Sequence, residues 1–582
     1  MSMEQLDQQV NEKVQEWLKG QYDETTRKTI LNLVENAQYT ELTDAFYKDL
    51  EFGTGGLRGI MGVGTNRVNK YTLAKATQGL SDYLIKKYPG EQIKVVVAHD
   101  NRNNSALFAR LTAEVFSANG IYVYMFKELR PTPELSFAIR ELSCHSGVML
   151  TASHNPKEYN GYKAYGSDGG QLLAPYDKMV MEEVLKIKDN SQINFEANES
   201  LIEVLSDEID QKYFKALTKL SLSPEAIERQ KDMKIVFSPI HGTGGVSVPP
   251  VLKLFGFENV VLVEEQMVQD GNFPTVVYPN PEEREALSMA LDKAKEVDAD
   301  LLMATDPDAD RVGIAIKVPG KDYLLLNGNQ TAALLVRYLL TRYEESGKLT
   351  GKEYIVKTIV TSYLIDRMAE SKGVQCYNTL TGFKYIGEIM TQYQGEKDFL
   401  FGGEESYGYL IGDHARDKDA VVACAMIAEM AAYYKDKGWA LNDVLLELYK
   451  EFGYYKEKLI SITKKGKSGA EEIDALMESL RTQPPRILGG VNVVLVKDYL
   501  NKISFQPLTG LTTSISLPAS NVLQFFMEDG SIISARPSGT EPKIKFYCSV
   551  NAPLKSNELF ASVSKNLDEK LNEMLGDLGV LD

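Results

Sequence analysis

The chain has 582 residues, 43% of them apolar and 25% charged, and a net charge of -17. That length exceeds what one hydrophobic core serves and implies about four domains. The acidic balance argues against a nucleic-acid or anionic-membrane surface, although a local cluster of cations and backbone N–H groups can still hold a phosphate.

No apolar run approaches the ~20 residues that cross a bilayer. The opening twenty residues, MSMEQLDQQVNEKVQEWLKG, are polar and acidic, and they read as an amphipathic helix and not as a signal peptide. Four widely spaced cysteines, none in a CxxC pair, read as free thiols in a reducing cytoplasm. Phe52-Gly53-Thr54-Gly55-Gly56-Leu57-Arg58-Gly59 is rich in glycine but fits neither the dinucleotide fingerprint nor the P-loop.

From residue 94 one pattern recurs three times. Residues 94–98 form a β-branched strand, Ser105 opens a helix, Gly120 stops it, and a second strand follows. The same order returns with strand 234–237, a glycine-rich loop, Ser247 and Pro249 at a helix start, and Gly256 at its end. It returns again with strand 354–360, Ser362 and Gly373. Serine caps, glycine stops and alternating strands and helices predict three similar α/β domains. The last part differs: strands at 492–497 and 522–527, a hairpin turn at Asp529-Gly530, two further strands and a closing helix over 556–575. The expected fold class is therefore α/β, with three similar mixed α/β domains and a smaller C-terminal α+β domain. The expected boundaries are 1–210, 211–320, 321–450 and 451–582.

Four segments carry chemistry. Asp306-Pro307-Asp308-Ala309-Asp310-Arg311 follows an apolar strand, and its three alternating carboxylates can converge on one hard cation. An EF-hand would need Gly and Glu where Arg311 and Lys317 stand, so that reading fails; an incomplete protein ligand set suits Mg²⁺ shared with a phosphate. Thr151-Ala152-Ser153-His154-Asn155-Pro156 sets a serine at a strand end before a turn, without the GxSxG of a hydrolase elbow. Arg536-Pro537-Ser538-Gly539-Thr540 is composed either to hold a terminal phosphate or to serve as an ordinary hairpin connection. Gly403-Glu404-Glu405-Ser406 either presents carboxylate and hydroxyl groups to a sugar or forms a plain turn.

Taken together and in this order, the segments resemble the α-D-phosphohexomutase superfamily, which includes phosphoglucomutases and phosphomannomutases. The resemblance runs from TGGLRG at 54–59 to RPSGTEP at 536–542. It implies four domains around a central cleft and a phosphoryl group carried on Ser153. Asp306, Asp308 and Asp310 would hold Mg²⁺ together with a phosphoserine oxygen of Ser153. Glu404 and Ser406 would contact sugar hydroxyls beside Thr381, Gly382 and Lys384, while Arg536, Ser538, Gly539 and Thr540 would take the distal phosphate. Arg58 and Lys163 match positions beside the reacting groups, and His154 and Arg311 are candidate substrate-binding residues, Arg311 adding positive charge.

Two departures bear on proton transfer. Gly408 stands where some members have His, and Asp417-Lys418-Asp419 resembles the glucose-type branch, which makes Lys418 a candidate. Lys163 is the first choice as general base, provided that its pKa falls well below ~10.4; otherwise it is a fixed cation. The implied reaction is an isomerase-class phosphotransfer between glucose 1-phosphate and glucose 6-phosphate, with glucose 1,6-bisphosphate as intermediate and primer. Pentose and mannose phosphates are alternative substrates, and a phosphatase or a non-catalytic sugar-phosphate sensor are alternative classes.

Overall fold

Val95, Val96 and Val97 are wholly buried in a strand, as their β-branched side chains favour. In the computed structural model, residues 7–50, 55–464, 466–538 and 543–580 are described. Their contacts group the chain into two units. One comprises Met1–Leu326, Phe383–Gly402 and Ser406–Lys437; the other comprises Asn327–Gly382, Gly403–Glu405 and Gly438–Asp582.

The first unit contains two mixed sheets built alike. In the six-stranded sheet, Lys94–His99 pairs in parallel with Tyr122–Met125 and with Ser146–Leu150, and Ser146–Leu150 pairs antiparallel with Tyr159–Gly166. Gly56–Ile60 and Ile202–Val204 close its two edges. In the five-stranded sheet, Ile235–Ser238 pairs in parallel with Val260–Leu262 and with Leu301–Thr305, and Leu301–Thr305 pairs antiparallel with Val312–Ile316. Each sheet thus has a parallel core and then one strand that reverses through a loop. Three amino-terminal helices, Gln8–Lys19, Glu24–Glu35 and Tyr39–Phe46, form their own apolar cluster around Trp17, Phe46 and Tyr71.

In the second unit, Glu353–Thr358 pairs in parallel with Gln375–Thr379. An antiparallel sheet follows, running Tyr454–Thr463, Lys543–Ala552, Ile532–Pro537, Leu523–Met527 and Val491–Asp498, with Ile503–Phe505 and Thr512–Ser514 beyond. The chain is α/β, with a β-rich part at the C-terminal end.

The glycine stops stand where expected: Gly120, Gly256 and Gly373 all take positive φ. All three helix starts differ from expectation: the third helix begins at Leu364 with Tyr363 as its cap, one residue beyond Ser362. Ser105 is the first helical residue, not the cap, and its hydroxyl donates to Asp100 Oδ1 at 2.7 Å. The helix expected to open at Ser247 and Pro249 spans Gly244–Phe255 and carries Pro249 and Pro250 inside. Buried Val248, Val251, Leu252 and Phe255 offset the N–H donors that the two prolines lack.

Candidate active site

Two loops of the first unit leave equivalent places in their sheets, each between a core strand and its antiparallel neighbour. The first carries Ser153, held at φ 52. Its N–H donates to Thr151 Oγ1 at 2.8 Å, and its Oγ donates to Asp306 Oδ2 at 3.0 Å, with His154 Nδ1 at 3.1 Å. Burial, then Arg311 and Arg58, push the His154 imidazole well below its usual pKa, so that it stands neutral beside the serine.

The second loop carries Asp306, Asp308 and Asp310, all buried, with one oxygen of each lying within 4.8 Å of the others. Asp306 Oδ1 accepts the N–H groups of Asp310 and Arg311 at 3.0 Å each. Thr132 clamps Asp308 twice, its N–H donating to the carbonyl at 2.9 Å and its Oγ1 to Oδ2 at 2.9 Å. Lys163 Nζ donates to Asp308 Oδ2 at 2.8 Å and to Asp310 Oδ2 at 3.3 Å. Lys418 Nζ lies 3.1 Å from Asp310 Oδ2 and 3.1 Å from Asp417 Oδ1. Arg311 Nη1 donates to Glu282 Oε1 at 2.5 Å.

A glycine backs this loop. A Cβ on Gly242 would stand 2.4 Å from Pro307 Cα, and next to it Thr243 donates to the Pro307 carbonyl from both N–H and Oγ1. The residues also fit a divalent cation. Asp308 Oδ1 and Asp310 Oδ1 are buried without a hydrogen-bond partner, a costly state unless a cation faces them. An all-oxygen set of three carboxylates suits a hard metal such as Mg²⁺.

The charges pull against one another. Burial, then Asp310 and Asp308, push the Asp306 carboxyl well above the usual range. Burial would raise Asp310 too, but Lys418, Lys163 and Arg311 outweigh it and hold that group below the usual range. Burial opposes the charge on Lys163, yet Asp308 and Asp310 raise its pKa above the ordinary lysine value. The lowered pKa that a general base requires is therefore not met at Lys163 in this arrangement, which holds it as a cation. Arg58, exposed on strand Gly56–Ile60, donates to Asn155 Oδ1 at 3.3 Å.

Other expected residues fall in two places. In the second unit, the Gly382 N–H donates to Glu404 Oε1 at 3.0 Å beside Thr381. Glu405 Oε2 accepts from Thr358 at 3.1 Å and from Thr361 at 3.2 Å. Arg536 bonds the Tyr547 side chain, and the Ser538 N–H donates to the Lys543 carbonyl at 2.7 Å. Lys384 and Ser406 belong to the first unit, Lys384 with its Nζ 5.2 Å from the Tyr385 ring. Gly539 and Thr540 lie outside the described residues, as do Phe52, Gly53 and Thr54 of the glycine-rich segment. Thr132, Thr358 and Thr361 were not foreseen, because a lone threonine carries no spacing signal.

A serine hydroxyl set against a carboxylate cluster shaped for a cation, with lysines and arginines around it, is equipment for phosphoryl transfer. Three consecutive segments, 49–191, 211–320 and 327–452, match alpha/beta/alpha domains I, II and III of phosphoglucomutase/phosphomannomutase. A phosphoglucomutase of Staphylococcus haemolyticus (strain JCSC1435) is 35% identical over 565 residues, covering 96% of this chain and 99% of that protein. One from Staphylococcus aureus (strain bovine RF122 / ET3-1) is 37% identical over 528 residues, 90% and 94% of the two chains. The chain belongs to the phosphoglucomutase/phosphomannomutase family, the α-D-phosphohexomutases, and is a phosphotransferase of the isomerase class. Its fold is also that of a putative phosphomannomutase from Thermus thermophilus, with TM-score 0.66 at 23% identity over 90% of this chain and 99% of that one. The open form of pp63/parafusin from Paramecium gives TM-score 0.67 at 20% identity, covering 92% and 95%.

Proposed function

We propose that this chain interconverts glucose 1-phosphate and glucose 6-phosphate through phospho-Ser153 and glucose 1,6-bisphosphate. The observation that carries the reading is the 3.0 Å hydrogen bond from Ser153 Oγ to Asp306 Oδ2, which sets a hydroxyl on the cation-ready carboxylates. The choice of glucose is supported by relatives named phosphoglucomutase that share more than a third of their residues with nearly the whole chain.

In this reading the phosphorus–Oγ bond of phospho-Ser153 breaks as a new bond forms to the free hydroxyl of the sugar monophosphate. The hydroxyl proton is taken by Lys418, the other general-base candidate, and is passed on to Ser153 Oγ as the phosphoryl group leaves it, while Lys163 stays a cation. The resulting bisphosphate turns round, and its other phosphate returns to Ser153, which releases the isomer. Asp306, Asp308, Asp310 and an oxygen on Ser153 would hold Mg²⁺, which supplies neutralising charge to the transferring group. Lys163, Arg311 and Arg58 add fixed positive charge, and neutral His154 lies beside the serine. Glu404 and Ser406, with Thr381, Gly382 and Lys384, read the sugar, while Arg536, Ser538, Gly539 and Thr540 hold the distal phosphate.

The same reading keeps four domains divided near residues 210, 320 and 450, supported by family segments that end at 191, 320 and 452. It assigns the chain to the cytoplasm, in keeping with four free cysteines. Among the described residues no helix is long and apolar enough to cross a membrane.

The test compares kcat/KM for glucose 1-phosphate, ribose 1-phosphate and mannose 1-phosphate, with Mg²⁺ and glucose 1,6-bisphosphate present and inorganic phosphate followed in the same samples. Glucose 1-phosphate should lead with little phosphate released. Ser153→Ala should fold normally and lose about a thousandfold or more in turnover. A folded Ser153→Ala variant with near-normal turnover would exclude the covalent route, and preference for the pentose would overturn the assignment of the Glu404 loop to hexose.

A further inference from the structure

Arg102 follows the strand Lys94–His99 and is absent from the roles assigned above, yet its side chain is fully covered and aimed at the serine loop. Nη2 donates to the Ser153 carbonyl at 2.5 Å and to the Asn155 carbonyl; Nη1 donates to the Pro156 carbonyl at 2.8 Å and to the Tyr159 carbonyl at 3.1 Å. Nε faces Asp100 Oδ2 at 3.3 Å. Asp100 is itself fixed, since its Oδ1 accepts from Ser105 Oγ at 2.7 Å and from the Arg102 N–H at 2.9 Å. The Phe273 ring lies over the guanidinium, 5.2 Å from centroid to Cζ.

One planar fork thus gathers the carbonyls of four residues of one loop, of which the Pro156 carbonyl also accepts the Tyr159 N–H at 3.1 Å. Only arginine has the donors and the rigid plane for this; a lysine ammonium is a single centre with three. The gathered loop holds Ser153 at φ 52, a left-handed conformation that a non-glycine residue keeps only where its surroundings impose it. That backbone in turn sends Oγ towards Asp306.

We propose that Arg102 is the positioning residue of the Ser153 loop, setting the direction of Ser153 Oγ through its grip on four backbone carbonyls without touching substrate. The inference rests on Ser153 as phosphoryl carrier. It predicts that loss of the fork slows chemistry while leaving sugar-phosphate binding, which belongs to other loops, nearly intact.

The experiment uses the full chain with Mg²⁺ and glucose 1,6-bisphosphate. Arg102→Ala should lower kcat by about 100-fold, the scale of a small misplacement at a reacting atom, with KM for glucose 1-phosphate moving less than about threefold. Added guanidinium ion at non-denaturing concentration should restore part of the lost kcat. Arg102→Lys should also fold and also lose kcat, without rescue, and it decides the matter if the alanine variant does not fold. Phosphorylation of Ser153 by glucose 1,6-bisphosphate, followed by peptide mass, separates the two ideas. Wild-type protein phosphorylated at a residue other than Ser153 overturns the carrier assignment and this inference with it. Wild-type phosphorylation at Ser153, with an undiminished rate in the folded Arg102 variants or a rise in KM alone, overturns the role of Arg102 and leaves the carrier in place.

Discussion

The Lys418 side chain passes close over Gly408. A Cβ at position 408 would stand 2.1 Å from Lys418 Cδ and 2.8 Å from its Cγ. The lysine stem crosses the glycine to bring Nζ within 3.1 Å of Asp310 Oδ2. Gly408→Ala should therefore displace Lys418 from Asp310 and lower kcat by about tenfold to 100-fold. Stability should change by less than about 1 kcal/mol, since a flexible side chain can move aside. Kinetics of the double variant decide the cause: Gly408→Ala with Lys418→Ala should be no slower than Lys418→Ala alone, and additive losses would break the link. The sequence displayed both residues as separate oddities. That they form one arrangement was not legible, because no spacing rule connects positions in two loops whose meeting depends on the fold around Asp310.

The strand, helix and strand repeat was legible because β-branched runs and glycine stops are local signals. So were the loops that carry Ser153 and the three aspartates, since each follows an apolar core strand. What lay beyond reach was whatever depends on contacts between elements. The serine-cap rule selects Ser247, whereas the helix begins at Gly244, where packing decides. The segment before it reads only as a glycine-rich loop, and its approach to Pro307 is what shows that it backs the aspartate loop. A prediction belongs to the strand Tyr454–Thr463, which places Glu457 opposite Ser549. The residue's stem is partly exposed, but its carboxylate Oε1 is covered and has no hydrogen-bond partner. Burial pushes this acid up to about 7 against a hydrogen bond from Ser362. A raised acid binds its proton more tightly in the folded chain, so stability is greatest when both states are protonated and falls as pH rises towards 7. Between about pH 5 and pH 8 the wild type should lose roughly 2 kcal/mol relative to Glu457→Gln, after allowing for the exposed stem. Urea unfolding of both proteins across that range would show it, and parallel curves would remove the buried-acid argument.

For the chain as a whole, composition and motif order pointed to several α/β domains, but the grouping of contacts was hidden. No linker-like tract marks the places where the chain returns to the first unit at Phe383–Gly402 and Ser406–Lys437. Helix Ala420–Asp436 returns because it is buried along most of its length, and the Ala420 N–H donates to the Ala309 carbonyl within the aspartate loop. Ser153, Lys163, Lys418 and the three aspartates therefore belong to one unit, while Glu404 and Arg536 belong to the other. A cation on this cluster has a thermodynamic consequence. A ligand that binds only the folded state stabilises it, by about 2.7 kcal/mol at a hundredfold excess over Kd. In calorimetry of the full chain, Mg²⁺ should raise the unfolding temperature of wild type. Asp306→Asn should behave in the opposite sense. With one of three mutually repelling buried carboxylates neutralised, its metal-free form should unfold at a higher temperature than metal-free wild type, and Mg²⁺ should no longer move it. A wild-type response in the variant would place the cation elsewhere, and an unmoved wild type would remove it; the expected pair of results would tie it to the carboxylates beside Ser153.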